Sequence, residues 1–338
     1  MTDNTHRRLR TPFLFLGGLL AATALFGMSA DRNPVEGPAE EAMQKMRDYV
    51  GTFDFKATLD LTPLGQPGVQ ITFPGTASSQ FVLGGSGILG VSEADNKQSV
   101  SYIGYRTDTN EYYNLNMDAN QTGLSYMSGN YAKPDLLKMR DPTTGVNMEV
   151  VYGKDGASTA TVRIPPTQAV LLKSETTQTS RNAGDVLGRL LSGPVKPTRV
   201  NRKADNPNPA ENYARFHDLL HKLAGKFVSE DGYKAVSRMV GEGRYVLTHV
   251  TGGRGEFLTF TAYNNAGGFF QQMMVGPSLP TPIYLQGGMK PDGSIELADP
   301  FNPNGISVLL SFDSGGGYSA TASMGGQVVE ERAWRLEK

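Results

Sequence analysis

Histidine, serine, carboxylate and glycine patterns are the places where this chain could do chemistry, and most dissolve on inspection. Gly85, Gly87 and Gly90 spell G-x-G-x-x-G. A dinucleotide loop needs a helix directly after those glycines, so that phosphate meets its N-terminus. The next residues are VSEADNKQSVSY (91–102), a strand end, a polar turn and a second strand. These glycines therefore read as a turn or a close strand approach. His217 and His221 are one helical turn apart and could share a metal. No third ligand stands at a familiar spacing, so they read as exposed helix histidines. Ser86 lacks the flanking glycine pattern of a nucleophile elbow. The carboxylates show no pairing for general acid–base work. His249 sits mid-strand on the face of Tyr245 and Leu247. If that face points inward, its imidazole lines an interior and offers a haem ligand or a hydrogen bond. No cofactor is otherwise predicted. Tyrosines are the richer signal. Tyr102, Tyr105, Tyr113, Tyr245 and Tyr263, with His249, are the candidate residues for lining a ligand cavity. Tyr112 and Tyr113 are adjacent, so one faces each side of its strand.

The elements that would position these residues occur twice. Tyr105 answers Tyr263, and Asp141-Pro142 answers Asp299-Pro300, each 158 residues apart (263 less 105, 299 less 141). A repeat this long means two similar domains rather than a solenoid. The first, 38–179, opens with PAEEAMQKMRDYV, an amphipathic helix with Met43, Met46 and Val50 on one stripe. The second, 209–338, opens with PAENYARFHDLLHKLA and its stripe Tyr213, Phe216, Leu220 and Leu223. Each helix starts at Pro and stops at Gly, Gly51 or Gly225. After each helix come short alternating runs separated by Gly, Asn and Asp turns. Eight to ten such strands form an antiparallel meander, and closure into a barrel removes its edges. The fold class is therefore all-β: two up-and-down barrels, each preceded by a short helix. The first copy carries extra residues at 62–75, which read as a long loop or lid at one barrel end. The Asp-Pro pairs read as structural corners.

Composition bounds the setting. The chain has 338 residues, 38% of them apolar, with 40 glycines and a net charge of −1. Residues 40–179 hold 11 basic against 15 acidic residues, so a nucleic-acid footprint is lacking there, and the second domain is also slightly acidic. The linker 180–208 is rich in proline and basic residues; it reads as a semi-extended tether with envelope-surface contact as its sharper role. HRRLR (6–10) followed by PFLFLGGLLAATALFGM (12–28) reads as a signal peptide or uncleaved anchor within residues 1–30, hence export to the periplasm or beyond. There is no cysteine, which excludes disulfides and thiolate metal sites.

Each copy resembles a widespread bacterial family of secreted domains of unknown function with a calycin (lipocalin-like) barrel behind a short helix. The landmarks are Gly51-Thr52-Phe53 and Gly225-Lys226-Phe227, the Gly-x-Gly at 85–87 and 241–243, and Gly104-Tyr105 with Thr109 and Tyr112. The Asp141-Pro142 turn with Gly145 completes them. The second copy departs at Ala262-Tyr263. The resemblance implies a fold and no established activity. The functional expectation is a cell-envelope protein holding an apolar, lipid-like or amphipathic small molecule in a barrel. A structural protein with filled barrels is the alternative, and an enzyme acting inside the barrel ranks last. The two copies would form a pseudo-dimer within one chain.

Overall fold

The structure is a computed structural model and describes residues 38–118, 123–153, 156–193, 219–253, 255–265, 267–302 and 304–337. The expected signal segment, the start of the second helix with His217, and the linker beyond Gly193 lie outside them.

Twenty strands form two closed antiparallel barrels of ten. The first contains β1 (Gly51–Asp60), β2 (Gln70–Val82), β3 (Gly87–Ala94), β4 (Lys97–Arg106), β5 (Glu111–Met117), β6 (Ser125–Lys133), β7 (Leu136–Arg140), β8 (Asn147–Tyr152), β9 (Ser158–Ile164) and β10 (Ala169–Ser180). The second contains β11 (Gly225–Ser229), β12 (Lys234–Val240), β13 (Tyr245–Gly252), β14 (Gly255–Asn264), β15 (Phe269–Val275), β16 (Ile283–Met289), β17 (Ile295–Ala298), β18 (Ile306–Phe312), β19 (Tyr318–Met324) and β20 (Gln327–Leu336). Each strand pairs with its sequence neighbours, and β1 closes on β10 as β11 closes on β20. The up-and-down topology read from the turn spacing is thus present in both halves.

Alternation along each strand decides which residues face the lumen. In the first barrel the inward set includes Ile88, Ile103, Tyr105, Tyr112, Met127, Met139 and Val150. Helix α1 (Pro38–Gln44) and the 3-10 turn Arg47–Tyr49 join it, with Met43 and Met46 fully buried. Tyr112 Oη donates to the Ala42 carbonyl at 2.8 Å and pins this helix to the barrel. The helix is shorter than the 38–50 stripe predicts, because its last turn tightens to 3-10. In the second barrel, helical residues 219–223 place Leu219, Leu220 and Leu223 in the equivalent core.

The outward faces of β3–β5 and β13–β15 are apolar too, and they pack against each other. Leu89, Val100, Tyr102, Tyr113 and Leu115 share one cluster with Tyr245, Leu247, Leu258, Phe260 and Met273. Tyr102 and Phe260 meet with ring centroids 5.6 Å apart. They hold equivalent positions in the two copies, separated by the same 158 residues. Self-equivalent residues touch only near a two-fold axis, so the interface has the isologous form of a homodimer. Tyr245 Oη reaches across to the Gly123 carbonyl at 2.7 Å, and the Thr107 amide to the Pro280 carbonyl at 3.0 Å.

Two expectations are corrected. Residues 62–75 divide: 62–69 form the hairpin loop with a 3-10 turn at Thr62–Leu64, and 70–75 belong to β2, which pairs with β1 from Gly51↔Ser79 to Asp60↔Gln70. The extra residues lengthen a hairpin, and their alternating Val69, Ile71 and Phe73 pattern is a strand pattern. The linker is not extended throughout. Val186–Ser192 forms α2, with Asp185 Oδ1 accepting from the Gly188 amide at 2.8 Å. Val186 and Leu190 are buried in the cluster between the barrels.

Candidate functional site: the lumen of the first barrel

Inward side chains along β4, β5, β6 and β8 build a tyrosine ladder. Tyr105 meets Tyr112 at 5.0 Å between ring centroids, and Tyr112 meets Tyr131 at 5.5 Å. Tyr131 meets Tyr152 at 6.1 Å, and Tyr152 meets Tyr49 of the 3-10 turn at 4.5 Å. The contacts are edge-to-face or tilted, the arrangement aromatic quadrupoles favour. Strand register explains the ladder. Tyr105 lies opposite Tyr112 across β4–β5, and Tyr112 opposite Gly129, two residues before Tyr131 on the same face.

Three polar atoms in this lumen are buried without a hydrogen-bond partner: Tyr49 Oη, Tyr152 Oη and Asn114 Oδ1. Burial holds the Tyr112 and Tyr131 phenols at about 12, above the ordinary value of 10. Neighbouring phenols add to the effect at Tyr112, and Asp48 adds to it at Tyr131. Tyr112 and Tyr131 are therefore neutral and protonated at physiological pH. Charged residues elsewhere on these strands, such as Asp54, Lys56, Glu93, Arg106, Glu149 and Glu175, occupy the outward register. In the inward register the one charge is Lys97, exposed at the β3–β4 turn.

The second barrel is built differently at the same positions. Phe270 replaces Tyr112, and Met289 replaces Tyr131. Phe312 replaces Tyr152, since it pairs with Tyr318 as Tyr152 pairs with Ser158. Accessibility differs accordingly. Ser101, Ile103, Asn114 and Asn116 are half-buried. Their counterparts Thr259, Thr261, Gln272 and Met274 are 1%, 0%, 0% and 1% exposed. One polar device is retained: Gln272 stands where Asn114 stands, and both its amide atoms are buried without a partner. Apart from the lumens, a cavity of about 360 Å³ lies between the barrels, lined by Thr76, Glu93, Gln98, Arg189, Leu190 and Met239 among others.

The residues singled out in the sequence divide sharply. Tyr105 and Tyr263 face their lumens. Tyr102, Tyr113 and Tyr245 do not; they face outward into the inter-barrel cluster. His249 also faces outward, 2.7 Å from Glu256 Oε1 through Nε2, so it does not line the lumen. The reason is parity. Val246, Thr248 and Val250 take the interior of β13, which leaves Tyr245, Leu247 and His249 outside. Of the pair Tyr112 and Tyr113, the inward member is Tyr112. Ring contacts over glycine explain the two outward tyrosines. A Cβ at Gly87 would lie 2.1 Å from Tyr102 Oη, and one at Gly104 would lie 2.4 Å from Tyr113 Oη. So Gly87 of the G-x-G-x-x-G pattern seats an interface tyrosine, the close strand approach expected of it. Asp141 Oδ1 accepts from the Thr143 and Thr144 amides at 2.7 and 3.1 Å, and Asp299 Oδ1 from the Phe301 amide at 2.8 Å, the corners expected of both Asp-Pro pairs. Sequence reasoning missed Tyr49, Tyr112, Tyr131, Tyr152, Asn114 and Gln272. Among the described residues no three of His, Asp and Glu converge as a metal site.

No family model matches the chain. No curated protein matches it. Among solved structures it is similar to a protein of unknown function from the DUF3598 family of Nostoc punctiforme. The identity is 8%, over 86% of this chain and 97% of that one, with a TM-score of 0.23. No residue of the site is assigned from that likeness.

Proposed function

We propose that this is an exported, cell-envelope binding protein of the calycin-like type, whose first barrel carries an apolar or amphipathic small molecule. The second barrel serves as its filled, fused partner. One observation carries the reading: residues at equivalent lumen positions are half-buried in the first barrel and sealed in the second. A cavity wall of aromatic surface with a few placed polar atoms is the usual make-up of a small-molecule site. The alternative, a structural role, applies to the second barrel alone, where Phe227, Phe270, Trp334 and their neighbours fill the interior.

Native mass spectrometry of the protein recovered from its own envelope tests this, together with thermal shift against a lipid panel. The expected result is a co-purifying small molecule and a raised melting temperature with its class. Protein that carries nothing and is stabilised by no member of the panel refutes the carrier role.

A further inference from the structure

We infer that the ligand of the first barrel is a neutral, ring-bearing amphiphile, anchored by Asn114 and the ladder hydroxyls, and not a fatty-acid-like anion. This rests on the carrier reading of that barrel and specifies its chemistry.

Three independent features point the same way. The first is charge. Between the rims the inward register of β1–β10 holds no Lys, Arg, Asp or Glu. A carboxylate drawn into this lumen would lose its water and meet no cation, a penalty that hydrogen bonds from phenols offset only in part. The second is shape. Five rings spaced 4.5–6.1 Å apart present a continuous aromatic wall. A flexible alkyl chain buries against any apolar wall; a flat ring system gains the stacked and edge-to-face contacts that this one offers. The third is the placing of polar atoms. Asn114 Oδ1 accepts a hydrogen bond, and the Tyr49 and Tyr152 hydroxyls both donate and accept. All three are buried and unpartnered, and a buried polar atom is ordinarily paired. An unpartnered amide recurs at Gln272, so both copies place an amide at this lumen position. In the second barrel Gln272 is 0% exposed; in the first, Asn114 and its neighbours Ser101, Ile103 and Asn116 are half-buried beside the ladder.

N-phenyl-1-naphthylamine and 1-anilinonaphthalene-8-sulfonate separate these chemistries, because they share a ring frame and differ by one sulfonate. Dodecanol and dodecanoate, as competitors, repeat the comparison on a flexible chain. The expected order is the neutral naphthylamine first, with the sulfonate weaker by about tenfold or more. Dodecanol should compete better than dodecanoate, and both should lose to the naphthylamine. In Asn114→Leu the naphthylamine should weaken several-fold, while Gln272→Met in the other barrel leaves it unchanged. Far-UV circular dichroism, which reports both barrels, confirms that each variant is folded. If the sulfonate or dodecanoate binds as tightly as its neutral counterpart, the neutral class is wrong while the carrier reading stands. If Asn114→Leu binds as well as the parent, the anchor is wrong. If none of the four probes binds the parent protein, the carrier reading fails and this inference with it.

Discussion

Replacing Tyr245 by phenylalanine removes one oxygen and nothing else, and the structure makes its cost calculable. Tyr245 is 0% exposed and belongs to the second barrel. Its hydroxyl lies 2.7 Å from the Gly123 carbonyl and 3.0 Å from the Asp118 carbonyl, both in the first. A phenol has one proton, so the shorter contact is the donated bond and the second oxygen is an electrostatic neighbour. Phenylalanine keeps the ring and opens no cavity, so packing terms drop out. What remains is a buried carbonyl deprived of its donor, worth about 1–3 kcal/mol. Guanidinium unfolding read by two probes measures it. Trp334 is the sole tryptophan and is buried in the second barrel, while far-UV circular dichroism reports both. A two-domain chain need not unfold in one step. Here the shared cluster of Leu89, Tyr102, Leu247 and Phe260 ties the barrels, so both probes should shift together by the same free energy. An unchanged midpoint would show that the hydroxyl makes no bond across the interface. A shift in the Trp334 transition alone would show that the barrels melt independently, and the fused-dimer argument would fall.

Three further outcomes rest on the same geometry. Gly87→Ala drives a methyl to 2.1 Å from Tyr102 Oη. It should cost about 1–3 kcal/mol by overpacking, read as a lower melting temperature that Tyr102→Leu partly restores. Gln272→Met preserves length and volume while removing two unpartnered buried atoms. It should stabilise by about 1–3 kcal/mol in thermal denaturation; a loss would mean the amide is bonded in solution. Alkaline titration tests the ladder: with Tyr112 and Tyr131 at about 12, the folded state binds more protons than the unfolded state between pH 10 and 12. Their contribution to stability is therefore complete below pH 10 and falls away as pH rises towards 12, with tyrosinate absorbance at about 295 nm appearing in that upper range; ordinary titration near 10 for all tyrosines would contradict the buried ladder.

The architecture was legible because its signals are local. Turn residues bound each strand, alternation marks it as two-faced, and the 158-residue offset announces the second copy. Which face is the lumen was not legible, because both faces of the central strands are apolar. On β4 the residues Val100 and Tyr102 are as hydrophobic as Ile103 and Tyr105, yet one pair packs between barrels and the other inside one. Alternation separates the faces without naming them. The repeat contains the missing information. Tyr105 and Tyr263 are a tyrosine pair shared by both copies, and they are inward. Counting by two from Tyr105, and across the β4–β5 hairpin to Tyr112, would have found Ile103, Ser101 and Asn114. Tyr131 and Tyr152 lie too many strands away for that counting to reach without the register. Helix α2 was hidden by the prolines and charges that surround it, although Asp185 before Val186 is an ordinary N-cap signal.

The two copies have diverged unequally, and packing explains where. Several interface positions remain matched in size and polarity: Val82 with Val240, Leu89 with Leu247, Leu115 with Met273 and Tyr126 with Tyr284. These residues belong to the cluster that joins the copies, so a change on one side must be accommodated on the other. Lumen positions have no such constraint. The interior of one barrel never meets the interior of the other, and Tyr112, Tyr131 and Tyr152 face Phe270, Met289 and Phe312 only in sequence comparison. Phe270, Met289 and Phe312 in place of three tyrosines add buried hydrocarbon to the second interior, in a chain without cysteine. The first interior keeps its polar, accessible wall and forgoes that gain. A free homodimer could not make this division, since both its barrels would carry the same residues. Fusion allows the two interiors to differ, and the outward-facing tyrosines join the two copies.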